Sequence, residues 1–452
     1  MMQRKAIACL LTAALTLAAA IAPHDATART PKRATQKKTL IDPATMARRF
    51  AESEMARFPE AWQLDHGSRL FFGYAQGVGA CAMLEMWKAT GDGKYYDYVE
   101  AWTDSLIAAD GTIHKYDMTG YNLDFVNSGK ALFDVYKRTG NKKYKAAMET
   151  LCRQLRNQPR TTDGGFWHKL IYQHQMWLDG LYMASPFMAR YGAEFGKPEW
   201  QREAVHQVIT CHRHTLDPAT GLYHHAWDES ARQRWSDAEG HSPNFWGRST
   251  GWWFMAMVDI LDYLPEDGAS LGAGPLTNAA YDARRGDERA ACPQDGAFNG
   301  RDSIIAYVRA LAEVLPRYQR DGLWYQVLDC PEREGNYPEA SVTAQFMYAY
   351  AKAVNKGYID AKYRDVAMAA FEGLQRTLLV ELTAETAAEA GQPARTATGE
   401  PVLSLTRCCA VGGLGGSSYR DGSFDYYIHE KIRDNDAKAT GPFIMGCLEL
   451  AK

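Results

Sequence analysis

A short motif repeated at a fixed interval constrains the fold of this chain more than anything else in it. TGDGKY at Thr90 to Tyr95 recurs as TGNKKY at Thr139 to Tyr144, 49 residues on, and FGKPEW at Phe195 to Trp200 is a looser echo. Each copy closes one amphipathic helix with a glycine turn and opens another, so the repeating unit is a helical hairpin. The same rhythm predicts helices over Trp252 to Tyr263, Asp302 to Gln319, Ser341 to Asn355 and Ala361 to Leu379. Hairpins of this kind stack into an open solenoid or close into a toroid, and long loops gathered on one rim favour closure. The expectation is an all-α chain with a single domain over residues 46–452.

Two stretches interrupt the rhythm. Residues 266–300 are rich in Gly, Ala and Asp, residues 383–402 in Ala, Thr, Glu and Gly, and both read as surface excursions. The tail Val411 to Glu430 holds several glycines without GxGxxG spacing or a preceding strand, and reads as a rim loop rather than a dinucleotide site. At the other end, MMQRK followed by the apolar run Ala6 to Ala22 and the small-x-small pattern at Ala26 to Ala28 reads as a signal peptide over residues 1–28. Export is therefore expected, with residues 29–45 as a flexible leader. The apolar run is short for a membrane span, and 51 Lys plus Arg against 54 Asp plus Glu leave no basic field for a phosphate backbone. Neither a membrane nor a nucleic acid is an expected partner. Scattered cysteines, with only Cys408 and Cys409 adjacent, impose no disulfide framework.

The residues able to do chemistry cluster at helix starts and in connecting loops. In the stretch Thr162 to Tyr191, Trp177, Leu181, Ala184, Met188 and Tyr191 form a core-facing stripe, and Asp179 lies off it with Met176 and Met183 as helix neighbours. A carboxyl in apolar company is costly to ionise, so Asp179 is a candidate proton donor; the plainer reading pairs it with Lys169 or Arg190. Asp124 sits at a helix entry in YNLDFVNSGK, His168 and Lys169 precede Asp179 by 11 and 10 residues, and His225 lies in GLYHHAWDES. Arg248 stands between Trp246 and Trp252 in NFWGRSTGWW, where a planar guanidinium suits an anionic substrate group and a structural stacked cation is the alternative. His224, His225, Asp228 and Glu229, or Cys211, His212 and His214, could be drawn as metal ligands. Neither group has a recognised ligand spacing, and no metal is expected. With phosphate cradles and GxSxG elbows also absent, the reading left is sugar chemistry divided between two carboxyl groups.

The ordered set YNLDFVNSGK, GGFWHK, QMWLDGLYM, LYHHAWDE, FWGRSTGWW, NYPEAS and GLGGSSYRDGS resembles the unsaturated rhamnogalacturonyl hydrolases of glycoside hydrolase family 105, relatives of the family 88 unsaturated glucuronyl hydrolases. The resemblance spans roughly Leu70 to the C-terminus apart from the two insertions. It implies an (α/α)6 toroid, no cofactor, and a pocket for the terminal Δ4,5-unsaturated uronic acid that a polysaccharide lyase leaves on an oligosaccharide. By the family pattern Asp179 is the general acid and base and Asp124 the second carboxylate. Tyr74, His168, Lys169, His225, Trp246, Arg248 and Trp252 complete the expected pocket. The chain departs from the pattern at Ser249-Thr250, after Arg248, and at Phe72, where a Trp is usual. Pectin-type fragments are the expected substrate. The alternatives are ulvan, arabinogalactan or glycosaminoglycan fragments, an inverting glycosidase of saturated chains, and a non-catalytic helical scaffold.

Overall fold

The computed structural model describes residues 40–65, 70–266, 271, 276 and 299–452. The predicted signal peptide, most of the leader and most of the 266–300 insertion lie outside these residues. The repeated motif works as a pair of helix caps. Helix α2 (Tyr74–Thr90) ends on Gly91 at φ 72°, and Asp92 then caps α3 (Gly93–Leu106) by accepting from the Lys94 N–H. Helix α4 (Asp124–Thr139) ends on Gly140 at φ 65°, and Asn141 caps α5 (Lys142–Arg156) in the same way. A left-handed glycine satisfies the last carbonyls of one helix and lets an Asx side chain start the next at once. Two residues thus reverse the chain.

The hairpins continue through α6 (Leu178–Glu194), α7 (Pro198–Thr215), α8 (Gly247–Ile260), α9 (Gly300–Val314), α10 (Ala340–Asn355) and α11 (Arg364–Thr377). Two short helices, α12 (Ala384–Glu389) and α13 (Phe424–His429), precede the last long one, α14 (Ala437–Leu450). Six helices form an inner ring: α2, α4, α6, α8, α10 and α14 each pack on the next, and α14 packs back on α2. Outside them α3, α5, α7 and α11 lie on the inner helices that precede them, α1 (Pro43–Arg57) lies on α14, and α9 packs on α7 and α8. The toroid is closed, which settles the choice against an open solenoid. Burial explains the layering. Every residue of α8 from Gly247 to Val258 and of α10 from Ala340 to Ala353 is buried, whereas α5 buries one face built on Tyr144, Met148, Leu151 and Leu155. A helix apolar all round needs neighbours on every side; an amphipathic one belongs outside.

Some boundaries differ from expectation for local reasons. Asp42 caps α1 through the Thr45 N–H at 3.0 Å, so the helix begins at Pro43, inside the expected leader. Helix α8 starts five residues before Trp252, because the extended Trp246 caps it and its carbonyl accepts from the Ser249 hydroxyl at 2.8 Å. Residues 383–402 form an excursion carrying α12, closed at its base by strands β3 (Leu379–Glu381) and β4 (Leu403–Leu405). Met176 is not on a helix. It lies in β1 (Gln175–Trp177), which pairs antiparallel with β2 (Ala226–Asp228), Trp177 opposite Ala226. The Met176 sulfur packs against Gly165.

Candidate active site

Tyr74, Asp124, Asp179 and Arg248 each stand in the first turn of an inner helix. Two of these are carboxylates, and their surroundings differ. Asp124 is gripped from two sides: Lys169 Nζ lies 2.6 Å from Oδ2, and His168 Nε2 lies 3.2 Å from Oδ1. Burial by itself would raise its pKa, but Lys169 and His168 outweigh that and hold the carboxyl well below the ordinary aspartate range. The Tyr74 hydroxyl is pushed up by burial, with Asp124 adding to the shift and Lys438 opposing it. It stays neutral. The accessible surface here belongs to Asp124, Lys169 and Tyr74, all only part-buried.

Asp179 has one near neighbour of opposite kind. His225 Nε2 lies 3.2 Å from its Oδ2, yet neither atom has a hydrogen-bond partner, so the contact is an approach without alignment. His225 is fully buried, and its other nitrogen is 2.7 Å from the Tyr427 hydroxyl on α13. Burial pushes that phenol well above its ordinary value. When the neutral Tyr427 O–H donates to Nδ1, the imidazole proton sits on Nε2, facing Asp179. The β1–β2 pair creates this meeting: the Leu178 N–H donates to the His225 carbonyl at 3.1 Å, which sets His225 beside the first turn of α6.

Trp177 joins the two acid-histidine pairs. Its ring stacks on His168 at 4.9 Å and 1°, and meets His225 edge-on at 5.2 Å and 69°. Its Nε1–H donates to Gln175 Oε1 at 3.0 Å. Tyr172, part-buried, stacks on the outer side at 4.5 Å, and its hydroxyl accepts from Arg420 at 3.0 Å. Close packing reaches Gly180 as well, where a Cβ would stand 2.9 Å from His168 Nδ1. A side chain at residue 180 would push His168 off its place.

The profile of Glycosyl Hydrolase Family 88 matches residues 46–271 and 293–452. The chain belongs to glycoside hydrolase family 88/105. Among similar proteins, a family 105 glycoside hydrolase from C. acetobutylicum ATCC 824 superposes with a TM-score of 0.75 at 34% identity, over 90% of this chain and 99% of its own. Protein Atu3128 of Agrobacterium fabrum is 34% identical over 270 residues, 59% of this chain and 97% of that protein. Unsaturated rhamnogalacturonyl hydrolase YesR of Bacillus subtilis is 26% identical over 300 residues, 65% of this chain and 73% of YesR. An unsaturated glucuronyl hydrolase from Bacillus sp. GL1 shares the fold at a TM-score of 0.56 and 15% identity, over 90% and 97% of the two chains.

Within this family 88/105 chain, the structure brings Tyr74, Asp124, His168, Lys169, Asp179 and His225 together. It also shows that Asp179 pairs with neither Lys169, which holds Asp124, nor Arg190, which reaches Asp134 and Glu194. Three further residues of the expected pocket are buried, each with protein partners. Arg248, 1% exposed, donates from Nε to Ser341 Oγ at 2.8 Å, gives another N–H to the Cys409 carbonyl, and lies 3.5 Å from the buried Glu339 carboxylate. Its charge is already answered within the protein. Trp246 is 1% exposed between His225 and Tyr427, and Trp252 is wholly buried, stacked on Tyr182 at 4.7 Å. Neither presents a free face to a sugar. Phe72 likewise turns into the core and stacks on Trp102, leaving the part-buried Phe71 toward the rim.

Sequence reasoning missed Trp177, which its helical stripe placed in the core, and Tyr427, which lies 202 residues from His225. The NYPEAS motif held a usable signal for Glu339 as the partner of a buried cation. The two drawn metal clusters disperse: His212 bonds Tyr223, His214 bonds Asp163, Asp228 caps the turn after β2, and Glu229 binds Thr162. Among the described residues no group of three His, Cys, Asp or Glu side chains is placed to hold a metal ion, and no helix is long and apolar enough to cross a membrane.

Proposed function

We propose that this chain hydrolyses the terminal Δ4,5-unsaturated uronic acid from lyase-generated oligosaccharides, with Asp179 as the proton carrier. The observation that supports this best is the asymmetry of the two carboxylates. Asp124 is committed to Lys169 and His168, while Asp179 keeps an oxygen with no hydrogen-bond partner beside a histidine. The names carried by the Bacillus subtilis and Bacillus sp. GL1 relatives point to the same substrate class.

The chemistry begins on an enol ether. Asp179 delivers its proton to C4, the double bond's electrons form the new C–H bond, and positive charge gathers at C5 and the ring oxygen. Water adds at C5 and returns a proton to the Asp179 carboxylate. The resulting hemiketal opens, and the hemiacetal left at C1 releases the neighbouring sugar. Asp124, kept ionised by its cations, accepts from sugar hydroxyls and steadies the charge at C5. His225, its imidazole fixed by Tyr427, stands beside the Asp179 carboxylate with Nε2 facing it. Tyr172 and Tyr74 offer the accessible aromatic surface for the ring. Reading the N-terminal run as a signal peptide, we place the reaction outside the cytoplasm.

A panel of unsaturated disaccharides that differ only in the second sugar tests this reading. Hydrolysis removes the conjugated double bond, so ultraviolet absorbance falls as product forms. Preference for a rhamnose aglycone is expected. Preference for a hexosamine would move the assignment to glycosaminoglycan fragments. A panel left unchanged, or a saturated analogue cleaved faster than its unsaturated counterpart, overturns the proposal.

A further inference from the structure

A cavity of about 470 Å³ is lined mostly by the C-terminal halves of the inner helices and reaches inward to Lys130 and Tyr182, in the first halves of α4 and α6. Its lining is highly charged, and nearly all of that charge is internally matched. Lys88 Nζ and Arg190 share Asp134 at 3.2 and 2.9 Å, and Lys352 lies 2.6 Å from Asp259. The two lysines nearest the mouth are also paired with acids. Lys130 is the exception.

Lys130 is 8% exposed, lines this cavity, and has no carboxylate within 4 Å among the ion pairs of the described residues. Its Nζ lies 3.4 Å from the centre of the Tyr182 ring. Its one hydrogen bond is a long one, 3.5 Å to the Tyr182 carbonyl. That carbonyl is free because Pro186, four residues on, has no N–H to give it. The bond accounts for one ammonium proton and leaves two without a protein acceptor. A buried, unpaired charge is expensive, and burial pushes this amine down to about 8. A ligand that brings the missing negative charge would reverse that cost.

We propose that this cavity binds a small monocarboxylate of the sugar-acid type, its carboxylate seated on Lys130. The single unmatched positive charge calls for a single negative one. Asp134 and Asp259, held in the same lining, disfavour a dianion such as phosphate. The volume suits a body of monosaccharide size, and the part-buried Tyr263 in the lining offers a ring to a polyhydroxylated ligand. Neither Asp124 nor Asp179 lines this cavity, and the inference does not rest on the reaction proposed above.

The test is calorimetric titration of full-length Asp179→Asn protein with sodium glucuronate, with glucose and inorganic phosphate as controls. A saturable event is expected for glucuronate and none for the controls; Lys130→Met in the same background should abolish the Lys130 event, leaving any binding at the Asp179 pocket unchanged. Because Lys130→Met removes a buried contact, a second measurement needs no substitution there. Reductive methylation of the Asp179→Asn protein, read by peptide mass, should be slowed at Lys130 by about tenfold when glucuronate is at ten times its Kd. Unchanged binding by Lys130→Met, unprotected Lys130, or phosphate binding as tightly as glucuronate each overturns the proposal. Turnover is not part of either readout, so failure here is distinguishable from failure of the catalytic reading.

Discussion

Asp124 and Asp179 begin adjacent inner helices and each faces a histidine, yet one is saturated with partners and the other is not. Asp124 has a lysine and an imidazole on its two oxygens; Asp179 has a misaligned imidazole on one. On the proposed mechanism, this difference separates the roles of two like residues. A carboxylate locked by cations is a fixed charge, and only a carboxylate with an unfilled oxygen can carry a proton to and from a substrate.

The sharpest way to break this comparison is to exchange the partners' fates. Asp179→Asn should lower turnover of an unsaturated disaccharide by about 10³-fold, the scale of lost general acid–base catalysis, while the melting temperature stays near the parent's. Turnover within tenfold of the parent would make Asp179 a bystander. Asp124→Asn should lower turnover less, by about 10²-fold, and should also destabilise the fold, because Lys169 and His168 lose their counter-charge. Since Asp124 is part-exposed, the loss should be about 1–3 kcal/mol at neutral pH rather than the full cost of a wholly buried pair. The depressed pKa fixes the sign of its pH dependence. The stabilisation is fully present above the unfolded value of about 3.9 and is lost as pH falls from there through the folded value. Denaturant melts of the parent and of Asp124→Asn should therefore differ equally at pH 5 to 8 and converge only in stronger acid, about pH 3 and below. Convergence already at pH 5 would contradict the assignment.

Smaller substitutions sharpen the Asp179 side. Tyr427→Phe leaves the buried His225 Nδ1 without its 2.7 Å partner, and should cost about 1–2 kcal/mol in kcat/KM with a shift of the pH profile. An unmoved profile would reduce Tyr427 to packing. Gly180→Ala is the mildest. Its helix propensity gain of about 1 kcal/mol offsets the crowding against His168, so stability should hardly change while turnover falls severalfold. Full activity in Gly180→Ala would show that the position of His168 is not critical.

The legible part of the site was the part built within one element. Asp124, His168, Lys169 and Asp179 stand in helix starts and turns that local pattern announces, and the TGD and TGN motifs carry their own caps. Trp177 was misread because a helical stripe and the last residue of a short strand look alike when the stripe continues unbroken into α6. The partners of Arg248 were hidden for another reason. Its flanking tryptophans are visible in sequence, but Glu339 reaches it only because α8 and α10 are neighbours in the ring.

Amino-acid order alone determined the helical hairpin, its length, its caps and the residue types at the mouth, because these depend on backbone sterics and on hydrogen bonds a few residues long. Tertiary structure alone decided that six hairpins close on themselves and that β2 lays His225 against Asp179. It also decided that Tyr427 arrives from 202 residues away, and that one lysine in the cavity is left without an acid. Those outcomes depend on which buried faces fit together and which charges meet, and neither is written in any stretch short enough to be read on its own.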